Sequence, residues 1–165
     1  ERIISFPDYS VDMIATMIKA MSVPEDYEEK PRILAMLCEN DALPALDAAG
    51  AKRAQWNPWV RVIPVRCLGS FNIVWVAEAL SKGIDGVVLI GCKYGDDYQC
   101  HYIRGSELAH TRLGHVGETL QRLALEPERI KTVELSHDEF DRIPQILDDF
   151  AKGLEDMGPN PLKGF

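Results

Sequence analysis

The sequence predicts an α/β fold built on an open parallel sheet with helices on both faces. Three observations carry this. Four short apolar runs rich in β-branched residues alternate with segments of helical period. The runs are apolar almost throughout, as strands covered on both faces are, rather than alternating apolar and polar. Cys38, Cys67 and Cys92 each stand where such a run stops and a polar turn begins, so parallel strands would gather three thiols at one edge of the sheet.

Taken in order, Ser10 is placed to cap a helix over Val11–Met21, with Val11, Ile14, Met17, Ile18 and Met21 at helical spacing. Pro24–Pro31 reads as a charged linker, so residues 1–30 form an amino-terminal helix and linker ahead of a domain over residues 31–157. The domain opens with strand Arg32–Leu37, helix Ala42–Lys52, strand Val60–Val65 and helix Ser70–Lys82, with Gly83 at the C-cap position. Trp56 and Trp59 flank Pro58 and pack the loop before the second strand. Strand Gly86–Ile90, helix Ser106–Leu125 with Pro127 beyond it, and strand Lys131–Leu135 follow. Ser136 and Glu139 make a capping-box pattern ahead of helix His137–Leu154, which Pro144 kinks or starts afresh. The tail Gly158–Phe165 reads as extended, and no internal repeat is visible. Right-handed crossovers leave few topologies, of which a flavodoxin-like sheet of about four strands fits best.

Composition narrows the function classes. The 165 residues suit one domain, and 26 acidic against 18 basic residues give a net charge of -8 with no basic block. Nucleic acid and anionic membrane surfaces select clustered Lys and Arg, so neither is the expected partner. No apolar stretch approaches the roughly 20 residues of a membrane span, and no signal-peptide pattern opens the chain, which predicts a soluble cytoplasmic domain. Glu1 in place of Met predicts a piece of a longer protein.

Chemistry concentrates on Cys38, Cys67, Cys92 and Cys100. Two disulfides are allowed by parity, but disulfides staple small secreted chains that lack a core, so metal binding or catalysis fits better. A lone free cysteine is most often a small buried hydrophobe. Three at equivalent strand ends, with a fourth in the next loop, supply the four thiolates that iron–sulfur clusters and zinc commonly take. Loops after adjacent strands lie about 5 Å apart, so these thiols converge without a Cys-x-x-Cys pair, which the chain lacks. Gly69, Gly91 and Gly95 would bring amide donors close to sulfur. A Cys/His zinc site using His101, His110 or His115 is a second arrangement, with His110 and His115 otherwise on a helix surface. Nothing singles out the ordered base and oxyanion hole of a Cys–His nucleophile. No GxGxxG follows the first strand and no GxxxxGK[ST] occurs, so no nucleotide-phosphate loop is expected. Asp96-Asp97 and Asp148-Asp149 read as solvated charge.

At these cysteines the chain resembles the family of the delta subunit of methyl-viologen-reducing hydrogenase. The likeness lies in Ile33–Cys38, Val62–Cys67, Ile84–Cys92 and Cys100-His101-Tyr102-Ile103-Arg104-Gly105, with Leu125–Ile130 before the last strand. The longer loop from Gly91 to Cys100 is most similar to the version fused to the carboxyl end of the flavoprotein component of the quinone-interacting membrane-bound oxidoreductase and related heterodisulfide-reductase-like flavoproteins. The resemblance implies an electron-transfer domain of anaerobic energy metabolism holding a [2Fe–2S] cluster on Cys38, Cys67, Cys92 and Cys100. It also implies flavin and iron–sulfur oxidoreductase subunits as partners, with any membrane contact made through them, and no independent turnover. Where the family carries Cys-x-x-Cys after its first strand, Asp41 stands in the second position here. The family pattern has five cysteines and a cluster takes four, so a full set remains. The competing expectation is a metal-free docking module of the same complex.

Overall fold

The computed structural model describes residues 6–23, 30–95, 99–122 and 124–163. Residues 24–29 of the expected linker and 164–165 of the tail lie outside the described residues. The centre of the fold is a parallel sheet of four strands, β1 (Ile33–Cys38), β2 (Val60–Val65), β3 (Gly86–Gly91) and β4 (Ile130–Glu134), in the order β2-β1-β3-β4. This is the flavodoxin-like order. Every residue of β1 and β3 is buried, which requires cover on both faces. The edge strands β2 and β4 keep partly exposed positions.

Among the described residues, six α-helices supply the cover: α1 (Val11–Ala20), α2 (Ala42–Ala51), α3 (Ile73–Ser81), α4 (Gly105–Gly114), α5 (Val116–Arg122) and α6 (Arg142–Met157). Ser10 caps α1 by accepting the Met13 N–H at 3.2 Å. The buried stripe of α1 is Ile14, Ala15 and Ile18, while Met17 is exposed, because it falls off the face that positions 11, 14, 15 and 18 share. α1 packs on α3, and α2 on α6. Gly86 lets α6 lie close on β3, since a Cβ there would stand 2.6 Å from Leu154.

Two expected helices divide. The segment after β2 begins with a single 3₁₀ turn, Leu68–Ser70, and α3 starts after Asn72, whose side chain caps it by accepting the Val74 N–H at 2.9 Å. The long helix before β4 breaks at His115 into α4 and α5, where Gly114 and Gly117 flank the β-branched Val116. After β4 a 3₁₀ turn, His137–Glu139, precedes α6, and Pro144 sits in the first turn of α6, where its missing N–H costs nothing. Ser136 and Glu139 form the expected capping box, with the Ser136 N–H donating to the Glu139 carboxylate at 2.9 Å.

The amino edge of the sheet is closed by a buried polar network. Asp85 accepts from the Arg32 N–H at 2.7 Å, the Asn160 N–H at 2.8 Å and the Lys163 ammonium at 2.7 Å. Asn160 donates to the carbonyls of Leu80 and Ile84, both at 2.7 Å, so the described part of the tail is pinned onto the end of α3. Gly83, at φ 92°, takes the expected C-cap position, and a Cβ there would meet the Lys163 backbone at 2.8 Å. Trp59 packs at the same edge under the Arg32 guanidinium, 4.3 Å from the ring centroid. Among the described residues no helix is long and apolar enough to cross a membrane.

Candidate functional site

Because β2 and β3 lie on opposite sides of β1, the strand order reverses between β1 and β3, and open α/β sheets bind ligands at the carboxyl end of such a crevice. Cys38 is the last residue of β1 and Cys92 follows β3 directly, so the crevice is walled by two thiols. Their sulfurs are 3.4 Å apart. Cys67 opens the turn after β2, Cys100 reaches in from the loop before α4, and these two sulfurs are 4.0 Å apart. Cys92 also contacts Cys100, so the sulfurs run in the order Cys38, Cys92, Cys100, Cys67. All four are buried free thiols.

The backbone aims donors at these sulfurs. The N–H groups of Asn40, Asp41 and Ala42, around the start of α2, face Cys38, and those of Tyr102, in the turn before α4, and Gly105, the first residue of α4, face Cys100. The Gly69 N–H donates to Cys67 at 3.3 Å, and the Asn40 side-chain amide donates to Cys92 at 3.4 Å. Helix amino termini favour negative charge, so two of the four sulfurs are held where a thiolate is stabilised. Gly105 is required sterically, since a Cβ on it would stand 2.3 Å from the Cys67 sulfur and 2.9 Å from that of Cys100.

Proton affinities follow this wiring. Cys38 is lowered to about 7 by accepting from the Cys92 thiol and from the α2 amides, against the cost of burial. Cys100 is also lowered, chiefly by accepting from Cys67 and Cys92. Cys67 is pushed up by donating to Cys100 and by burial, and Cys92 by donating to Cys100 and Cys38 and by burial.

The donor set fits a binuclear soft-metal group. Two thiolate sulfurs on one tetrahedral metal, with bonds of about 2.3 Å, lie about 3.8 Å apart. The Cys38–Cys92 and Cys67–Cys100 pairs, at 3.4 and 4.0 Å, bracket that spacing. Among the described residues, no group of three or more Cys, His, Asp or Glu side chains is arranged around one ion.

The surroundings place the remaining candidates. Asp41 is buried, accepts from the Asn40 side chain at 3.2 Å and faces His137 at 3.4 Å, so its carboxylate is already engaged. Asn40 also donates to the Gln99 carbonyl at 3.1 Å, tying the loop after β1 to the loop before Cys100. A solvent-facing cleft lined by Asn40, Asp41, Pro44, Gln99, His101 and His137 opens beside them. His101 and His115 are exposed, and His110 stands against the Tyr94 ring at 6.0 Å. Gly91 serves packing, since a Cβ there would meet Leu68 at 2.5 Å, and Gly95 takes a left-handed turn at φ 82°. Asp148 accepts the Asn57 N–H at 2.8 Å, while Asp96 and Asp97 lie outside the described residues. Gly105 and the side-chain amide of Asn40 were not singled out by spacing, because both act across loops that meet only in the fold.

These features define a four-stranded parallel α/β domain with buried thiols at the carboxyl edge of its sheet, and comparison with known proteins makes the class specific. The chain belongs to the family described as "Methyl-viologen-reducing hydrogenase, delta subunit", whose model matches residues 33–158. It is 32% identical over 133 residues to the iron-sulfur subunit of the vhu F420-non-reducing hydrogenase of Methanocaldococcus jannaschii, covering 81% of this chain and 97% of that protein. It is 34% identical over 129 residues to one subunit of the Ferredoxin/F(420)H(2)-dependent CoB-CoM heterodisulfide reductase of Methanosarcina acetivorans, covering 78% of this chain but 16% of that protein. The matching figures for the corresponding subunit of the Ferredoxin:CoB-CoM heterodisulfide reductase of Methanosarcina mazei are 30% over 156 residues, 94% and 19%. The chain thus spans under one fifth of the heterodisulfide reductase subunits and almost all of the hydrogenase subunit.

Proposed function

We propose that this domain is an electron-transfer module that holds a [2Fe–2S] cluster on Cys38, Cys67, Cys92 and Cys100 and works inside a hydrogenase- or heterodisulfide-reductase-like oxidoreductase assembly. The observation that carries the reading is the pairing of four buried thiols, Cys38 with Cys92 at 3.4 Å and Cys67 with Cys100 at 4.0 Å, at the topological switch point. When bound, the cluster supplies a one-electron store whose potential depends on burial, charge and hydrogen bonds to sulfur. The residues of this chain ligate, exclude water and donate amide hydrogen bonds from the starts of α2 and α4. A relay passes single electrons and needs no turnover of its own. Relatives named as subunits of larger oxidoreductases support flavin and iron–sulfur partner subunits.

Anaerobic purification tests the reading. The expected protein is brown and carries about two iron and two acid-labile sulfide per chain. Cys67→Ser or Cys92→Ser should lower both severalfold, because a hard hydroxyl binds iron differently from thiolate. Unchanged iron in either variant would sink the assignment. A colourless, iron-free protein that still binds its partner subunits would establish the docking module instead.

A further inference from the structure

The segment Phe6–Ala20 precedes the residues matched by the family model, yet it reaches the loops that carry three of the four thiols. The Phe6 ring meets the Tyr102 ring edge-on at 5.2 Å. The Tyr9 hydroxyl donates to the Glu39 carboxylate, whose other oxygen accepts from Arg66 at 3.0 Å, and Arg66 in turn hydrogen-bonds Tyr102. Glu39 follows Cys38, Arg66 precedes Cys67, and Tyr102 lies two residues beyond Cys100. One short segment therefore joins three loops through a single carboxylate. It is itself anchored: Ile14 and Ile18 are fully buried, the Trp75 indole donates to the Val11 carbonyl at 3.0 Å, and Lys19 pairs with Glu78 at 3.2 Å.

We propose that Phe6 and Tyr9 are positioning residues of a clasp, with Glu39 as its hub, that holds the Cys38, Cys67 and Cys100 loops closed and limits the access of water to the thiols. In its second half the proposal rests on the cluster reading: with a cluster bound, the clasp tunes cluster retention and potential. The physical reason is that loops open locally at far lower cost than the fold unfolds, so a restraint across three loops acts on that opening. A carboxylate shared by a phenol and a guanidinium is a charge-assisted junction, stronger than neutral hydrogen bonds of the same geometry. Solvent exposure is in turn a main determinant of an iron–sulfur potential.

The test begins with the metal-free chain, where the rate of alkylation of each thiol by a small maleimide is mapped by mass spectrometry. Tyr9→Phe, which keeps the ring and removes the hydroxyl, should raise the rates at Cys38 and Cys67 at least fivefold with the melting temperature within about 4 °C of the parent. Phe6→Ala should do the same at Cys100, and Phe6→Tyr should restore the parent rate. Lys152→Ala, on the exposed face of α6, should leave all four rates unchanged. Unchanged rates in both Tyr9→Phe and Phe6→Ala overturn the clasp, whatever the colour of the protein. In cluster-loaded protein the same two variants should release iron to a chelator severalfold faster and shift the midpoint potential; faster alkylation with neither change overturns the tuning role and leaves the shield. An iron-free parent with accelerated alkylation in the variants sinks the cluster reading and upholds the clasp as a thiol shield.

Discussion

At the amino edge of the sheet, Asp85 and Lys163 are almost fully buried and meet at 2.7 Å, with Asp85 also accepting two backbone N–H groups. Arg129, equally buried, donates to the carbonyls of Asp85 and Gly158, both at 3.1 Å, and pairs with Glu126 at 2.6 Å. At the carboxyl edge four thiols are buried as deeply, and their partners are one another, the Asn40 amide and backbone N–H groups. None of those partners carries a formal positive charge. The amino edge pairs Asp85 and Arg129 with charged groups of the chain itself, whereas the carboxyl edge gathers four sulfurs that no charged group among the described residues faces. The first arrangement holds the fold together; the second is the edge on which the proposed cluster site stands.

The sharpest way to break this comparison is Asp85→Ala. It leaves the Lys163 ammonium buried without its carboxylate and strands two N–H donors, which costs about 3–5 kcal/mol. Thermal unfolding should drop by about 10 °C or more, by the same amount with and without iron. A loss that disappears when iron is added would mean that the two edges are not independent.

Next in size is Gly105→Ala. The new Cβ would press on the Cys67 and Cys100 sulfurs, at 2.3 and 2.9 Å, and overpacking of this kind costs about 1–3 kcal/mol. Iron content should fall with it. Gly153→Ala is the control, since nothing lies within 4 Å of that position in the interior of α6, and it should gain about 0.5–1 kcal/mol with unchanged iron. Equal losses at both glycines, measured by denaturant titration, would remove the steric argument for the site.

The strands and the cysteine edge were legible because both are local: an apolar run names a strand, and a cysteine at its end inherits the edge. The β2 boundaries, the Ser10 cap and the Ser136–Glu139 box likewise depend on neighbours in sequence. The break at His115 was not legible, because helical period continues across it and only the glycines on either side hint at the stop. Tyr9 meeting Glu39, or Gly105 making room for Cys67, joins residues about 30 or more positions apart, and periodicity carries no signal over that separation.

Acid titration sharpens the comparison at the carboxyl edge, where the turn after β4 joins the Cys92 loop. Glu139 accepts from Ser136 and pairs with Arg142 at 2.6 Å and with Lys93, the residue after Cys92, at 3.1 Å. The Ser136 N–H, then Arg142 and Lys93, hold its carboxyl down to about 2. A depressed native value against an unfolded one of about 4.3 contributes stability that is fully present above the unfolded value and is lost as pH falls through the native one. Glu139→Gln should therefore cost about 1 kcal/mol at pH 7, and the gap to the parent should close by about pH 2. A gap that persists at pH 2 would assign the role of Glu139 to packing instead of charge.

The smallest effect concerns backbone strain. Left-handed positions occur at both edges: Gly83 and Gly158, both at φ 92°, with Arg53 at φ 60° and Ala124 at φ 54° near the amino edge, and Gly95 at φ 82° near the carboxyl edge. At the carboxyl edge the residue at φ 63° is Ile103, a β-branched side chain 60% exposed, three residues beyond Cys100. A β-branched residue in that region costs about 1–3 kcal/mol and persists only where its surroundings impose it. Here the imposition is visible: the Ile103 N–H donates to the Cys100 carbonyl at 2.9 Å, and the Arg104 N–H to that of Tyr102 at 2.7 Å. These bonds tighten the turn that brings the Tyr102 and Gly105 amides onto the Cys100 sulfur. An exposed side chain adds little to the core, so Ile103→Gly should remove the strain, lose about 1 kcal/mol of it to the greater freedom of the unfolded chain, and leave a net gain of about 0.5–1 kcal/mol. A fall in melting temperature would show that Ile103 is not strained in place. A gain in stability accompanied by slower electron exchange with partner subunits would mean that this edge keeps an unfavourable residue for the sake of its exposed side chain.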